Sequence, residues 1–198
     1  QLLPIQPTFE KHSSTLRSLN YDIVCLKATR WHDDYNSFKN SMKDLEVMMQ
    51  NVITTAFEGA ATTGAGVELL DAFHGLAQRE AIKRCVEKKS AEVFTSIFGE
   101  LSHVKKQFDK QKGSPLMLHR EHPKFAGAAL WARSLHLRVI RQWDLLERSS
   151  KTAEDLDEKT PEAKAAHDAY EALNSSLDEF IRKMYSEWIS TIESNVAH

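Results

Sequence analysis

The sequence predicts an all-α protein, an elongated antiparallel bundle of about five or six helices. Glycine and proline are scarce, with 7 and 5 among 198 residues, and no Asn-Gly or Asp-Gly hairpin turn occurs. Apolar residues recur every three or four positions over most of the chain, which is the spacing of a helix face. Between these stretches there is no strand signal. Together these observations favour helices packed on helices.

Four helices are predicted in the first 112 residues. They cover 9–27, 38–56, 67–75 and 79–112, and the glycine-rich stretch 59–66 is interpreted as an interhelical turn. The residues expected to face inward are Leu16, Leu19, Ile23, Phe38, Met42, Leu45, Met49, Val52, Ala56, Val67, Leu69, Leu70, Phe73, Ile82, Val86, Val93, Ile97, Leu101, Val104 and Phe108.

Two further helices are predicted in the second half. Pro123 begins one of them, and a flexible polar loop follows near 149–160. Thr160 and Pro161 then form a cap and first position, and the apolar steps of four and three beyond them predict left-handed packing against neighbouring helices. The whole chain, 1–198, is predicted to be a single helical-bundle segment. The expected inward positions are Phe125, Ala129, Ala132, Leu135, Val139, Trp143, Leu146, Ala166, Tyr170, Leu173, Leu177, Phe180, Met184 and Trp188.

Composition narrows the function classes. Hydrophobic residues make up 41%, charged residues 27%, and the formal net charge is -2, so neither nucleic acid nor a membrane is predicted as a partner. No run of eighteen apolar residues occurs, and the start lacks a secretory signal and an initiator Met, which suggests a segment of a longer polypeptide. Cys25 and Cys85 are too few for a disulfide framework and are expected to be reduced in the cytoplasm.

No motif predicts catalysis. The stretch 59–66 lacks the lysine of a phosphate-binding loop, and no nucleophile elbow occurs. His103, His119 and His122 could suggest a metal, but zinc requires three or four convergent ligands, so an exposed polar loop is favoured for the last two. The sequence therefore predicts no catalytic residue, no cofactor and no metal site.

Tryptophan and arginine indicate where partners could bind. Trp131 is predicted to be buried. Trp131 and Trp143 lie about 120° apart on one helix, which places aromatic anchors on two different faces, and Gly127 predicts a close approach by another helix. Trp143 with Arg138 and Arg141 is the predicted partner surface, since aromatic residues and arginine are enriched at interfaces. Alternatively, Trp143 belongs to the core and a partner binds the polar faces of the first or last helix. The other basic clusters are interpreted as solvated faces rather than as a site for an acidic partner.

The stretch from His122 to Leu135 resembles a signature in the N-terminal tail of dynein heavy chains. The matching residues are Pro123, Gly127, Trp131, Ala132, Arg133 and Leu135. Four other segments resemble the same family in the same order, within 31–58, 66–73, 76–82 and 185–188. One departure is that Arg141-Gln142-Trp143-Asp144 continues the helix where the family often has a run ending in proline.

The resemblance implies a non-motor tail segment, closer to axonemal than to cytoplasmic heavy chains and of the inner-arm type. Such a tail is a scaffold for intermediate chains, light chains and other heavy chains. It anchors the complex to cargo or to the axonemal microtubule doublet of the cilium or flagellum, and it transmits force. ATP hydrolysis belongs to a separate microtubule motor domain, so this segment is expected to be non-catalytic. The alternative is a free-standing helical adaptor unrelated to dynein, which does not explain the ordered matches.

Overall fold

The computed structural model of this protein describes residues 5–19, 30–76, 78–113, 124–152 and 160–196. Six α-helices make up 92% of these residues and no strand occurs among them, which confirms the predicted all-α class. None of the helices in these ranges is both long and apolar enough to cross a membrane. In chain order the helices are α1 (Ile5–Ser18), α2 (Arg30–Glu58), α3 (Thr63–His74), α4 (Glu80–Gln111), α5 (Lys124–Thr152) and α6 (Pro161–Val196).

Several helix boundaries differ from the predicted ones. Helix α2 begins at Arg30 rather than at Phe38, and α3 begins at Thr63 rather than at Val67. Helix α1 begins at Ile5 rather than at Phe9, and the predicted continuation over 20–27 lies outside the described residues. Helix α5 continues to Thr152, so the first part of the predicted loop near 149–160 is helical, and 153–159 lie outside the described residues. Helix α5 also passes unbroken through the position where the sequence departs from the tail signature.

The glycine-rich stretch 59–66 is only partly a turn. Gly59 follows the end of α2, but Gly64 and Gly66 lie inside α3. Thr62 sets this boundary, because its hydroxyl oxygen accepts the backbone N–H of Ala65 at 3.2 Å in the manner of a helix N-cap. The hydroxyl of Thr160 caps α6 in the same way, which confirms the helix start predicted there.

The chain divides into two compact units, Gln1–Ala61 with Ala72–Lys89, and Thr62–Asp71 with Ser90–His198. In the first unit α1 packs against α2. The amide of Gln50 in α2 donates to the carbonyl oxygen of Ala81 at 3.0 Å.

In this first unit α2 runs in the same direction as the beginning of α4. The carboxylate of Glu46 is 3.0 Å from the guanidinium of Arg79, and Gln50 reaches Ala81 further along both segments. The most buried residue of α2 is Ile53, which was not among the predicted inward positions.

In the second unit α5 and α6 pack in an antiparallel arrangement. Three pairs of contacts fix their register: Trp131 with Phe180, His136 with Asn174, and Trp143 with Tyr170. Most predicted inward positions of this unit are buried. Its buried hydrophobic residues include Val67, Leu70, Val93, Phe94, Ile97, Leu101, Val104, Phe108, Ala128, Trp131, Ala132, Leu135, Val139, Leu146, Ala163, Ala166, Leu173 and Leu177.

The prediction for Trp188 was wrong. Its side chain is 42% exposed, although it continues the apolar spacing of α6. The difference arises because Trp188 lies beside the first turns of α5, where an open groove separates the two helices. Beyond Trp188, no described part of α5 lies opposite α6.

Candidate interaction surfaces

Trp131 lies at the centre of an aromatic cluster that joins three helices. Its side chain is 3% exposed, which confirms the predicted burial. It stacks on Phe108 of α4 with ring centroids 5.9 Å apart, and it meets Phe180 of α6 edge-on at 5.9 Å. Phe108 and Phe180 also contact each other, at 5.5 Å and nearly perpendicular. The indole N–H of Trp131 is buried and has no hydrogen-bond partner among the described residues, so this side chain contributes through packing.

Most of the other signature residues that the structure describes are also buried. Gly127, Ala132 and Leu135 are buried, whereas Arg133 is exposed. Pro123 lies outside the described residues. The close helix approach expected at Gly127 stays a prediction, with burial as its support. The signature residues that the structure describes therefore serve mainly to pack α5 into the second unit.

Trp143 contacts α6. Its ring stacks on Tyr170 with centroids 4.4 Å apart and planes 8° apart, and the ring of His167 lies 5.4 Å away. Burial raises the pKa of Tyr170, and the nearby carboxylates of Glu147, Glu171 and Asp144 raise it further. One face of the Trp143 indole ring therefore packs against α6 within the second unit.

The structure does not bring the three residues of the predicted partner surface together. Arg138 and Arg141 are exposed, whereas Trp143 is half-buried against α6. Residues two positions apart on a helix point about 160° away from each other, so Arg141 and Trp143 lie on nearly opposite sides of α5. Trp143 fits the alternative in which it packs within the fold.

A different exposed face of α5 combines apolar and basic residues, and we call it the α5 outer face. It consists of Leu130, Arg133, Leu137 and Arg141, spaced by three, four and four positions. Leu130 is 43% exposed and Leu137 is 46% exposed. Arg138 borders this face. The sequence contains a signal for this face, because Leu130 and Leu137 are seven positions apart. The larger apolar stripe around Trp131 on the same helix made that spacing difficult to recognise.

A second apolar surface lies where α5 begins. A groove of about 680 Å³ separates the first turns of α5 from α6. Its lining residues are Phe125, Ala126, Ala129, Ile181, Arg182, Met184, Tyr185, Ser186 and Trp188. Further along α6, Ile192 and Val196 are also exposed.

The basic residues around α4 pair with neighbouring carboxylates. Arg84 contacts Glu80 at 2.9 Å, and Lys83 lies 4.0 Å from Glu87, each one helical turn away. These pairs support the interpretation of this cluster as a solvated face. A polar hollow of about 510 Å³ beside it is lined by Arg84, Cys85 and Lys88 together with residues of α2.

The prediction that the chain has no metal site rests partly on histidines that the structure does not describe. His119 and His122 lie outside the described ranges, and His103 is exposed on α4. Within the described part of the chain, no group of three or more His, Cys, Asp or Glu side chains could hold a metal ion. Cys85 is a free, half-buried cysteine, and Cys25 lies outside the described residues.

Comparison with known proteins gives consistent matches. The family model for the dynein heavy chain, N-terminal region 1, matches residues 1–198. The chain is 39% identical over 203 aligned residues to the Dynein-1-beta heavy chain of the flagellar inner arm I1 complex from Chlamydomonas reinhardtii, covering 99% of this chain and 4% of that protein. It is 37% identical over 194 residues to Dynein axonemal heavy chain 2 from Mus musculus, covering 98% and 4%.

A more distant relative is the Dynein beta chain of the flagellar outer arm from Chlamydomonas reinhardtii, 30% identical over 147 residues, or 74% of this chain and 3% of that protein. The chain spans about 4% of the length of the first two of these relatives. These relatives are axonemal and flagellar heavy chains. Because the family model matches from the first residue to the last, the chain belongs to the N-terminal region of dynein heavy chains.

Proposed function

We propose that this chain is a non-catalytic helical scaffold in the tail of an axonemal dynein heavy chain, located in the cytoskeleton of a cilium or flagellum. The observation that carries the proposal is the match of the tail family over all 198 residues. In this role the segment assembles with intermediate chains, light chains and other heavy chains. It contributes indirectly to anchoring on the microtubule doublet and transmits force from a motor domain elsewhere in the heavy chain. A free-standing adaptor unrelated to dynein does not account for the family match.

The packing of the second unit suits a load-bearing role. The aromatic cluster of Trp131, Phe108 and Phe180 ties three helices together. A polar contact reinforces α5 against α6, with Nε2 of His136 only 2.6 Å from Oδ1 of Asn174. Close-packed interiors have low compressibility and transmit displacement between elements. A rigid unit of this kind is what a scaffold needs between its attachment points.

The α5 outer face is our candidate surface for a tail subunit. Arginine is enriched at interface hot spots, and the exposed leucines between the arginines add apolar area that a partner can bury. The two leucines are seven residues apart, so a partner helix could lie along them with its own apolar residues in register. Carboxylates on that helix would complement Arg133 and Arg141.

Co-purification of subunits tests the scaffold and this surface together. The variant Leu137→Asp with Arg141→Glu changes only exposed side chains, so helicity and melting temperature should stay close to those of the parent. The heavy-chain tail carrying it should recover at least about tenfold less of one intermediate, light or heavy chain, because a hot-spot residue contributes about 1–2 kcal/mol or more.

The matched control is Lys105→Glu with Lys106→Glu, a double charge change on exposed residues of α4. It should leave recovery unchanged. Equal recovery of every subunit from the folded α5 variant would exclude the outer face. Failure of the folded parent tail to recover any dynein subunit would contradict the scaffold proposal itself.

A further inference from the structure

A histidine lies between α5 and α6 in the middle of their contact. The side chain of His136 is 17% exposed, and its Nε2 atom is 2.6 Å from Oδ1 of Asn174. The other ring nitrogen, Nδ1, is 3.8 Å from Oδ1 of Asp178, whose side chain is 45% exposed. Asn174 and Asp178 are four positions apart on α6, so neighbouring turns of one helix face present an amide and a carboxylate to the same ring.

The contact with Asn174 determines which ring nitrogen carries the proton when His136 is neutral. A carbonyl oxygen only accepts hydrogen bonds, so the Nε2–H group of His136 donates to Oδ1 of Asn174. Neutral imidazole has a single N–H group, which leaves Nδ1 as an acceptor. Nδ1 and the carboxylate of Asp178 are then two acceptors opposite each other, and no hydrogen bond joins them.

Protonation of the ring changes the second contact into an attraction. The imidazolium ion has an N–H group on both nitrogens, so Nδ1 forms an ion pair with Asp178 while Nε2 keeps its bond to Asn174. Aspartate stays ionised over the range in which histidine titrates. A protonated His136 is therefore held by two side chains of α6, whereas the neutral ring is held by Asn174 alone.

The other charges of α6 near the ring leave this contact in place. Nη2 of Arg182 is 3.9 Å from Oδ2 of Asp178, the carboxylate oxygen that does not face His136. The side chain of Arg182 is exposed, so water screens its repulsion of a protonated ring. In the other direction along α6, Glu171 lies one turn before Asn174 and is exposed as well.

Helices α4 and α5 add no opposing contact in the described part of the chain. His136 lies about 140° around α5 from Trp131, which stacks on Phe108 of α4. Among the described residues, the polar contacts of the ring are all with α6. On α5 itself, Arg133 precedes His136 by one turn, and its side chain is exposed.

From this geometry we propose that His136 is a proton-dependent clamp between α5 and α6, in which protonation of the ring adds an ion pair with Asp178 and strengthens the attachment of α6 to α5. The ligand of this site is a proton, and the response is the stability of the second unit. The clamp does not depend on subunit binding by the α5 outer face, so either proposal can fail without the other.

A double-mutant cycle of His136→Gln and Asp178→Asn tests the clamp. Urea denaturation of the parent, the two single variants and the double variant gives the coupling between the two side chains. About pH 5.5 and about pH 8 lie on either side of the range in which histidine titrates. At the lower pH the coupling should favour folding about three- to fivefold in the unfolding equilibrium constant, a modest factor because the carboxylate is partly exposed. This stabilisation should be lost as the pH rises, because the neutral ring has no ion pair to break.

The matched control is the cycle of His136→Gln with Glu179→Gln. It neutralises the next carboxylate along α6, which is exposed. Its coupling should stay within about twofold of unity at both pH values. Because a cycle reports only the pair, the titration of His167 and of the other histidines cancels. Circular dichroism of each variant should show the helicity of the parent.

Two results of the main cycle would contradict the clamp. Equal coupling at the two pH values would show that protonation of His136 does not strengthen its contact with Asp178. Stronger coupling at the higher pH would show that the neutral ring already donates from Nδ1 to the carboxylate.

The nitrogen resonances of the His136 ring test the same arrangement in the parent chain without a destabilising substitution. The signals that disappear in His136→Gln identify this ring in the NMR spectrum. At about pH 8 the neutral ring should carry its proton on Nε2. A neutral ring protonated mainly on Nδ1 would reject the clamp, because its contact with Asp178 would then not require a second proton.

Discussion

The two faces of α5 carry similar residues with opposite outcomes. On the inner face Trp131, Leu135 and Val139 are buried, whereas Leu130 and Leu137 on the outer face are exposed. Both sets follow helical spacing, so periodicity alone does not separate them. The difference arises because α4 and α6 supply aromatic partners to Trp131, while the described helices leave the outer face open. An apolar repeat therefore indicates a contact surface, and only tertiary packing decides whether that surface serves folding or assembly.

The largest expected effect comes from removing the centre of the inner face. Trp131→Ala should lower the free energy of unfolding by about 3–5 kcal/mol, because it removes a buried aromatic ring and leaves a cavity among three helices. Leu130→Ala, one position away on the outer face, should change it by less than about 0.5 kcal/mol. Urea denaturation of both variants measures the contrast. Similar losses in the two variants would mean that the faces do not differ as the structure indicates.

Two helical glycines allow the same comparison, since Gly66 packs against a neighbouring helix and Gly99 faces open space. A Cβ added to Gly66 in α3 would lie 3.1 Å from Cγ2 of Val93, whereas one added to Gly99 in α4 would meet nothing within 4 Å. Gly66→Leu should therefore destabilise the fold by about 1–3 kcal/mol through overpacking. Gly99→Ala should stabilise it by about 0.5–1 kcal/mol, because alanine has the higher helix propensity.

Thermal unfolding of the two glycine variants checks both signs. A stable Gly66→Leu variant would show that α3 and α4 can separate at this point without cost. A destabilised Gly99→Ala variant would show that this side of α4 is covered in the folded protein.

Much of the fold could be predicted from the sequence because helix periodicity is a local property. The inward positions of α4, from Ile82 through Phe108, are buried almost as predicted, with Val86 half-buried. The start of α6 could be predicted as well, because the Thr160 hydroxyl caps the helix and Pro161 suits its first position. The burial of Trp131 followed from its place in a stripe of small and apolar residues.

The errors concern properties that depend on capping and tertiary packing rather than on the apolar repeat alone. Trp188 lies in the same apolar pattern as Leu177, but it lies beside the first turns of α5 and lines an open groove there. Gly64 and Gly66 were interpreted as a turn because glycine disfavours helices, yet the cap at Thr62 and the close packing on Val93 favour a helix there. Binding of a partner around Trp143 stays a prediction, although Arg141 and Trp143, two positions apart, lie on nearly opposite sides of α5.

The smallest expected effect concerns Tyr170, at the border between the two faces of α5, where it stacks on Trp143. Burial and then the carboxylates of Glu147, Glu171 and Asp144 raise the pKa of Tyr170 above its ordinary value of 10.0, so folding disfavours tyrosinate. The contribution of this hydroxyl to stability is complete below that pH and is lost as the pH rises through the raised pKa of the folded state.

Tyr170→Phe keeps the stacked ring and removes the titration. Melting temperatures measured from about pH 8 to about pH 11 should show a constant difference between variant and parent at first. Above about pH 10 the variant should gain relative to the parent. A difference that stays constant over the whole range would mean that the Tyr170 hydroxyl is as well solvated in the folded protein as in the unfolded chain. The stack on Trp143 would then leave that edge of α5 open to water, as the outer face already is.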